Sequence, residues 1–319
     1  MLRMDKAKDQ RDGQPVVRPV FVYSTRDDKF PQSLCRLYDA DPLFATYFDE
    51  CDRKVQERLG WSPLLRARSG ETPQEYEFEP VLVSTQIALT QTFFSRGVMP
   101  AAIVGACGGE FSAGYAAGVL NLENTVDLGC RVSEAISRGL GRGKMIAVKA
   151  TWDQSEKFTK DFGKTAYVAA GVDGGEILIS CTTDSFAPLF ESLVQKGVPC
   201  REAKSDFGLH SPVVDPWKER MMMGPLKSAQ NENPKFPIYS GVTGRMLENI
   251  DFDLNHWWNV VRQPLNLSAL FRRVLADGYS MFLEINSYAV YSGMIERVAS
   301  ECGKKVLLMN PLEMNQRGT

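Results

Sequence analysis

Residues 100–120, PAAIVGACGGEFSAGYAAGVL, constrain the fold more than any other stretch of the chain. Residues 101–104 form the short apolar run of a buried strand, and residues 111–120 carry small and apolar side chains suited to a closely packed helix. Between them stand Gly105, Ala106, Cys107, Gly108 and Gly109. Glycines two residues before and two residues after a central nucleophile permit a sharp strand-to-helix turn, because a Cβ is not tolerated in that crowding. The turn pushes Cys107 outward at a helix N-terminus, where the positive end of the helix dipole is expected to favour thiolate over thiol. The N–H of Gly108 points the same way, as a donor to an oxyanion. An arbitrary cysteine is most often a buried apolar residue. The strand, the flanking glycines and the helix together make this one a candidate acyl-transfer nucleophile.

The rest of the composition narrows the chemistry. A formal net charge of -2 with 24% charged residues excludes nucleic acid as a general electrostatic partner, which calls for a basic excess or stripe. No stretch approaches the roughly 18 consecutive apolar residues of a membrane span, and no signal-peptide pattern opens the chain. A cytoplasmic protein without membrane contact is expected. Seven scattered cysteines without a CxxC pair read as free thiols and not as a disulfide frame or zinc cluster, so no metal is expected. There are two histidines, His210 and His256. His210 lies in a Gly/Ser/Pro-rich turn and is the candidate base. His256, followed by Trp257 and Trp258, reads as part of a packed aromatic cluster.

Residues 1–17 are polar without an apolar face and are read as a disordered leader. Strand patterns at 19–23 and 101–104 alternate with helical patterns at 31–37, 41–58, 80–96 and 121–139, which indicates an α/β sheet with the nucleophile at a strand's carboxyl end. After a basic Gly-rich stretch at 138–143 the pattern changes. Residues 145–150, 155–161, 166–172, 176–181, 185–196 and 199–203 read as strand, helix, two strands, helix and strand, the βαββαβ order of a ferredoxin-like unit. Strands at 237–243, 281–285 and 305–308 and helices at 268–277 and 293–302 close the chain. The expected fold is α/β: a large α/β-hydrolase-like domain (18–143 and 208–312) with an inserted ferredoxin-like subdomain (144–207) and a tail at 313–319. Arg272 and Arg273, with Arg138, Arg142, Lys144, Lys218 and Arg220, are placed at the mouth of a cleft between the two, against the plainer reading of a solvated surface.

With the turn and His210 identified, the chain resembles the acyl-carrier-protein transacylases, the malonyl-transferase enzymes of fatty-acid synthesis and the acyltransferase domains of polyketide synthases. The resemblance covers about residues 19–310. It rests on Gly105 to Glu110 for the GHSxGE turn, Ala117 to Leu120 for the AGxL-type segment, and His210-Ser211-Pro212. Tyr239 to Gly244 and Trp257 through Arg262-Gln263-Pro264 complete it. Cysteine in place of serine gives a GxCxG form similar to starter-unit transacylase domains of fungal polyketide synthases.

The resemblance implies further roles. The family's N-terminal glycine-rich loop corresponds to residues 25–29, so the main chain of Arg26 is implied as a second oxyanion donor. A main-chain carbonyl near Val260 is implied as the group that orients His210. Val132 falls where malonyl-specific members carry the arginine that grips the substrate carboxylate. Arg131 is one residue earlier, rotated by about 100° on a helix. A bidentate clamp has no substitute in valine, so the acyl group is expected not to be malonyl. Glu79 stands for a family glutamine, and Phe207-Gly208-Leu209 precede the catalytic histidine. These residues are implied as pocket. A carboxylate at Glu79 accommodates an amine-bearing acyl group if it faces the pocket, and has no such role if it faces solvent.

The implied activity is ping-pong transfer, by Cys107 and His210, of a non-malonyl acyl group to the phosphopantetheine thiol of an acyl carrier protein in polyketide biosynthesis. The donor is an acyl-CoA or acyl-carrier thioester. No cofactor is bound, since the substrates themselves carry CoA or 4'-phosphopantetheine. With no ketosynthase or carrier segment in the sequence, a stand-alone enzyme acting in trans is expected. Carrier proteins are acidic, which makes Arg142, Lys144, Arg220, Arg272 and Arg273 candidate docking residues. Two alternatives keep the same residues: an editing thioesterase with water as acceptor, and an inactive carrier-docking protein.

Overall fold

The computed structural model describes residues 10–11, 14–15, 18–26, 30–223, 226, 233–248 and 252–311. Of the expected leader it describes only Gln10–Arg11 (β1) and Gln14–Pro15 (β2), an antiparallel pair. The expected tail lies outside the described residues.

The first core strand is Val20–Tyr23 (β3), buried on both faces. Helices Phe30–Ala40 (α1), Pro42–Leu59 (α2), Pro63–Arg68 (α3) and Phe78–Ser95 (α4) follow. The Asp41 carboxylate caps α2 by accepting from the N–H groups of Leu43 and Phe44. The short α3 had no periodic signal and is started by Ser62, whose hydroxyl accepts from the Leu65 N–H. Ala102–Gly105 (β4) leads through the turn to Gly109–Ala117 (α5) and Leu122–Gly139 (α6).

The chain then builds a smaller unit around a second sheet. Gly143–Val148 (β5), Trp152–Lys160 (α7), Ala166–Gly171 (β6), Ile177–Thr182 (β7), Thr183–Gln195 (α8) and Cys200–Ala203 (β8) form it. The spatial order β6-β7-β5-β8, antiparallel throughout, is that of a ferredoxin-like unit. Leu189 and Leu193 of α8 and Phe158 of α7 pack on Ile146, Ile177 and Ile179 to give this unit its own core.

The remaining elements are Lys218–Met221 (α9), Ile238–Ser240 (β9), Leu254–Arg262 (α10), Leu265–Asn266 (β10), Leu267–Ala276 (α11), Met281–Glu284 (β11), Ser292–Glu301 (α12) and Leu307–Met309 (β12). The large sheet is parallel with order β12-β11-β3-β4-β9, and apolar clusters cover both its faces. Two residues of the returning chain, β10, pair in parallel with β6 and fasten the small sheet to the large domain. No helix among the described residues is long and apolar enough to cross a membrane.

Register places the site. Tyr23 lies opposite Gly105, so β3 and β4 end level and their following loops emerge side by side at the carboxyl edge of the sheet. That edge is where ligands of open α/β sheets bind.

Candidate active site

Cys107 sits in the turn between β4 and α5 with φ of +55°, a conformation that a side chain other than glycine rarely adopts. The neighbouring glycines make the turn possible. A Cβ on Gly109 would fall 2.3 Å from the Tyr23 carbonyl oxygen, and one on Gly105 would fall 2.8 Å from the Glu110 Cα. The Tyr23 carbonyl also accepts from the Ala106 N–H at 3.2 Å, tying the turn to the end of β3.

His210 also has a left-handed backbone, with φ of +58°. Its N–H donates to the Val261 carbonyl at 2.9 Å, which anchors the loop on the end of α10. Its Nδ1 lies 3.1 Å from the Gln263 carbonyl and its Nε2 lies 3.2 Å from Cys107 Sγ. A carbonyl can only accept, so Nδ1 carries the proton and Nε2 presents its lone pair to the thiol. The orienting carbonyl is therefore that of Gln263 and not of Val260. Val260 lies within α10 and its side chain is buried in the core, whereas Gln263 has left the helix for extended backbone and turns its carbonyl to the ring.

Burial sets the protonation states. It pushes the Cys107 thiol above its ordinary range, and a hydrogen bond from Thr25, the Gly108 N–H and the charge of Arg26 offset only part of that. The helix-end stabilisation expected for a thiolate is thus outweighed. Burial likewise lowers His210 to about 4, against the opposing pull of the Gln263 carbonyl, Glu79 and Glu110. At neutral pH the pair is thiol and neutral imidazole, placed so that a proton can pass between them.

The loop after β3 lacks the glycines of the resembling family; its residues 27–29 lie outside the described residues, and its start is held by two side chains. Gln86 donates to the Ser24 carbonyl at 2.7 Å, and Asn286 donates to the Thr25 carbonyl at 2.9 Å. The Arg26 side chain crosses the cleft, stacks over the Phe78 ring at 4.5 Å and reaches Glu75 and the Lys204 carbonyl. It thereby forms part of a cleft of about 600 Å³ bounded on the other side by Lys144, Lys204, Ser205 and Asp206.

The pocket residues separate into two groups. Glu79, the second residue of α4, turns its carboxylate against the turn, where Oε1 would fall 1.7 Å from a Cβ on Gly108. Burial pushes that carboxyl up to about 8, with a further push from Cys107. Val132 is buried in the apolar core, and Arg131 is held by Asp127 at 2.7 Å and reaches the Met221 carbonyl. Phe207 is buried, packed on Trp217 with ring centroids 5.0 Å apart, and fills the space beside Gly139. Gly208 backs onto Gly143 and Val213, and the Leu209 carbonyl accepts from Ser180.

The five docking candidates do not form one surface. Lys144 borders the cleft and pairs with Glu202 and Asp206, and Arg142 is exposed two residues before it. Arg272 and Arg273 lie on α11, which follows β10, so β6 and β7 stand between them and β5. They pair with Glu301 at 2.7 Å and Asp277 at 2.9 Å. Arg220 is exposed on α9.

One arrangement escaped sequence reasoning. Glu110 and His256 are both buried, with Oε1 and Nε2 2.9 Å apart though not aligned for a hydrogen bond. They join the helix after the nucleophile to the helix whose end holds His210. A glutamate at the start of an Ala/Gly-rich helix was the available signal, since a buried acid needs a partner. Among the described residues no group of three or more His, Cys, Asp or Glu is placed to hold a metal ion.

A cysteine with left-handed backbone at the carboxyl edge of a parallel sheet, with a carbonyl-anchored histidine beside it, is the arrangement of α/β acyl-transfer proteins. The chain belongs to the acyl transferase family: the sequence profile described as "Acyl transferase domain" matches residues 34–318. Among curated relatives it is 26% identical over 309 residues to polyketide synthase GfsB of Streptomyces halstedii. It is 27% identical over 309 residues to the spectinabilin polyketide synthase system protein NorA of Streptomyces orinoci. These matches cover 94% and 95% of this chain but only 6% and 16% of those proteins. Among solved structures, a loading acyltransferase from the avermectin modular polyketide synthase aligns with a TM-score of 0.81 at 24% identity, covering 91% of this chain and 93% of that one. MCAT from Streptococcus pneumoniae aligns with a TM-score of 0.78 at 18% identity, covering 92% and 95%. At these identities the structural likeness shows the fold.

Proposed function

We propose that this protein transfers a non-malonyl acyl group from a CoA or carrier-protein thioester to the phosphopantetheine thiol of an acyl carrier protein, in polyketide biosynthesis, through an acyl group carried on Cys107. The observation that carries this reading is the 3.2 Å approach of His210 Nε2 to Cys107 Sγ with Nδ1 fixed on the Gln263 carbonyl. As Sγ attacks the donor carbonyl, its proton passes to Nε2, and the Gly108 N–H, with the main chain of Arg26, receives the developing oxyanion. Collapse breaks the bond to the donor sulfur, which leaves with the proton from Nε2. The carrier thiol then attacks the acyl-Cys107 thioester, giving its proton to Nε2, and the thiol of Cys107 is restored by that proton.

The acyl selectivity follows from charge. A malonyl group needs a cation for its free carboxylate. Val132 supplies none, Arg131 is committed to Asp127, Arg26 is engaged by Glu75, and the Glu79 carboxyl offers no positive charge. The test is a transfer assay with a panel of acyl thioesters and a holo-carrier protein. Cys107→Ala is expected to abolish transfer and His210→Ala to slow it by about 10²–10⁴. Malonyl is expected among the poorest donors. Rapid transfer of malonyl contradicts the selectivity, and acyl release that is independent of the carrier thiol makes the protein a hydrolase.

A further inference from the structure

Glu79 is a charged group at the site that the exchange of protons between Cys107 and His210 does not use. Its place at the first turn of α4 is ordinary for an acid, since a helix N-terminus favours negative charge. Its direction is not. The side chain folds back against Gly108, where both oxygens would fall within 2.6 Å of a Cβ on that residue. Residue 108 therefore has to be glycine for the carboxylate to sit there. Oε1 is buried and has no hydrogen-bond partner. The arginine whose charge reaches it, Arg26, lies on the Phe78 ring and extends toward Glu75 and the Lys204 carbonyl.

A buried acceptor without a donor is costly, and folded chains keep few of them outside functional sites. A donor delivered by the substrate would satisfy this one at the place where the acyl group is read. With the Gly108 N–H as the proposed oxyanion donor, a carboxyl group packed on Gly108 lies beside the first carbons of an acyl chain whose carbonyl is in place for attack. A neutral alkyl chain leaves Oε1 unmatched, and an acyl group ending in a carboxylate brings another acid and no counter-charge.

Resting on the reading of Cys107 as acyl carrier, we infer that Glu79 selects a cationic acyl group: an aminoacyl thioester whose ammonium, on the carbon α or β to the reacting carbonyl, donates to the Glu79 carboxylate. Burial, more than any other cause, keeps the empty carboxyl largely protonated at neutral pH, and the arriving ammonium supplies the counter-charge that stabilises the ionised form. Glu79 thus discriminates by binding and takes no part in bond making.

Pairs of pantetheine thioesters that differ only in charge test this, with the rate of mass gain on Cys107 as readout: β-alanyl against butyryl, and alanyl against isobutyryl. The intact protein is expected to load the amine-bearing member of at least one pair about tenfold faster or more, the scale of a hydrogen-bonding site that rejects an analogue lacking the group. Glu79→Gln is expected to collapse that ratio toward one, with Glu79→Asp retaining part of it. Loading of the neutral member as fast as the amine in both pairs overturns the assignment, as does a Glu79→Gln variant that slows both members equally or affects only hydrolysis of the acyl enzyme. In each of those outcomes the acyl enzyme itself stands. Failure of every thioester to load Cys107 overturns the proposed function and this inference together.

Discussion

Cys107 and His210 are the two non-glycine residues with positive φ among the described residues, and they are the pair in contact. Backbone strain of this kind costs of order 1–3 kcal/mol per residue and persists where the surrounding structure holds it. Burial then fixes the pair as neutral. The rate of Cys107 alkylation by iodoacetamide is accordingly expected to keep rising with pH past about 8.5, the range of a free thiol. A plateau reached by about pH 6, near the ordinary imidazole value, would reveal a thiolate–imidazolium pair instead. Glu79 makes a second prediction. Its folded-state pKa of about 8 lies above the unfolded value, so the folded chain holds a proton that the unfolded chain releases. Stability is therefore lost as pH rises from about 4.3 toward 8. Glu79→Gln removes this dependence, and its Tm advantage over the parent is expected to grow between pH 5 and pH 8. An advantage that stays constant or shrinks contradicts an unmatched buried carboxylate. That Cys107 and His210 would come together was legible in the sequence, because glycine spacing and histidine scarcity are local facts. Their protonation states were not, because desolvation comes from side chains distant in the chain.

At the scale of elements, the turn works because α5 approaches the end of β3 as closely as glycine allows. Gly109→Ala places a Cβ against the main-chain carbonyls of Tyr23 and Ser24, atoms that cannot step aside without moving β3 or the turn. It is expected to cost about 1–3 kcal/mol in denaturant unfolding, the range for overpacking, and to lower acyl loading. Gly293→Ala in α12 meets nothing within 4 Å and is expected to be neutral or stabilising by about 0.5–1 kcal/mol. Equal effects from the two changes would remove the steric account of the turn. The strand, turn and helix were readable because their signals lie within a few residues. The helix α10 was not identified: His256, Trp257 and Trp258 obscured its polar face, and the aromatic cluster was all that could be named. Missing that helix also misplaced the carbonyl that orients His210. Where α10 ends decides which oxygen is free to turn, and Gln263, not Val260, lies just beyond its end.

At the scale of the whole molecule, the two five-stranded sheets are joined twice, once by the chain entering and leaving the small unit and once by β10 pairing with β6. The βαββαβ order of the small unit was readable from its succession of strand and helix patterns, whereas a two-residue strand that pairs across nearly a hundred residues leaves no local trace. That pairing also separates the basic residues: Arg142 and Lys144 lie at the cleft end of the small sheet, and Arg272 and Arg273 lie at the other. Charge reversal of Arg142 is accordingly expected to lower kcat/KM for an acidic carrier protein and to weaken its salt dependence, while reversal of Arg272 and Arg273 leaves both near their original values. The opposite ranking would place the carrier on the α11 face. Intact-mass spectrometry of the protein incubated with an acyl thioester, followed by peptide mapping, tests the covalent step most directly. The expected result is one acyl group on the peptide that contains Cys107, discharged by a carrier thiol and absent from Cys107→Ala. Transfer that proceeds with Cys107 unmodified, or an acyl group found on another residue that turns over at the rate of transfer, would contradict it.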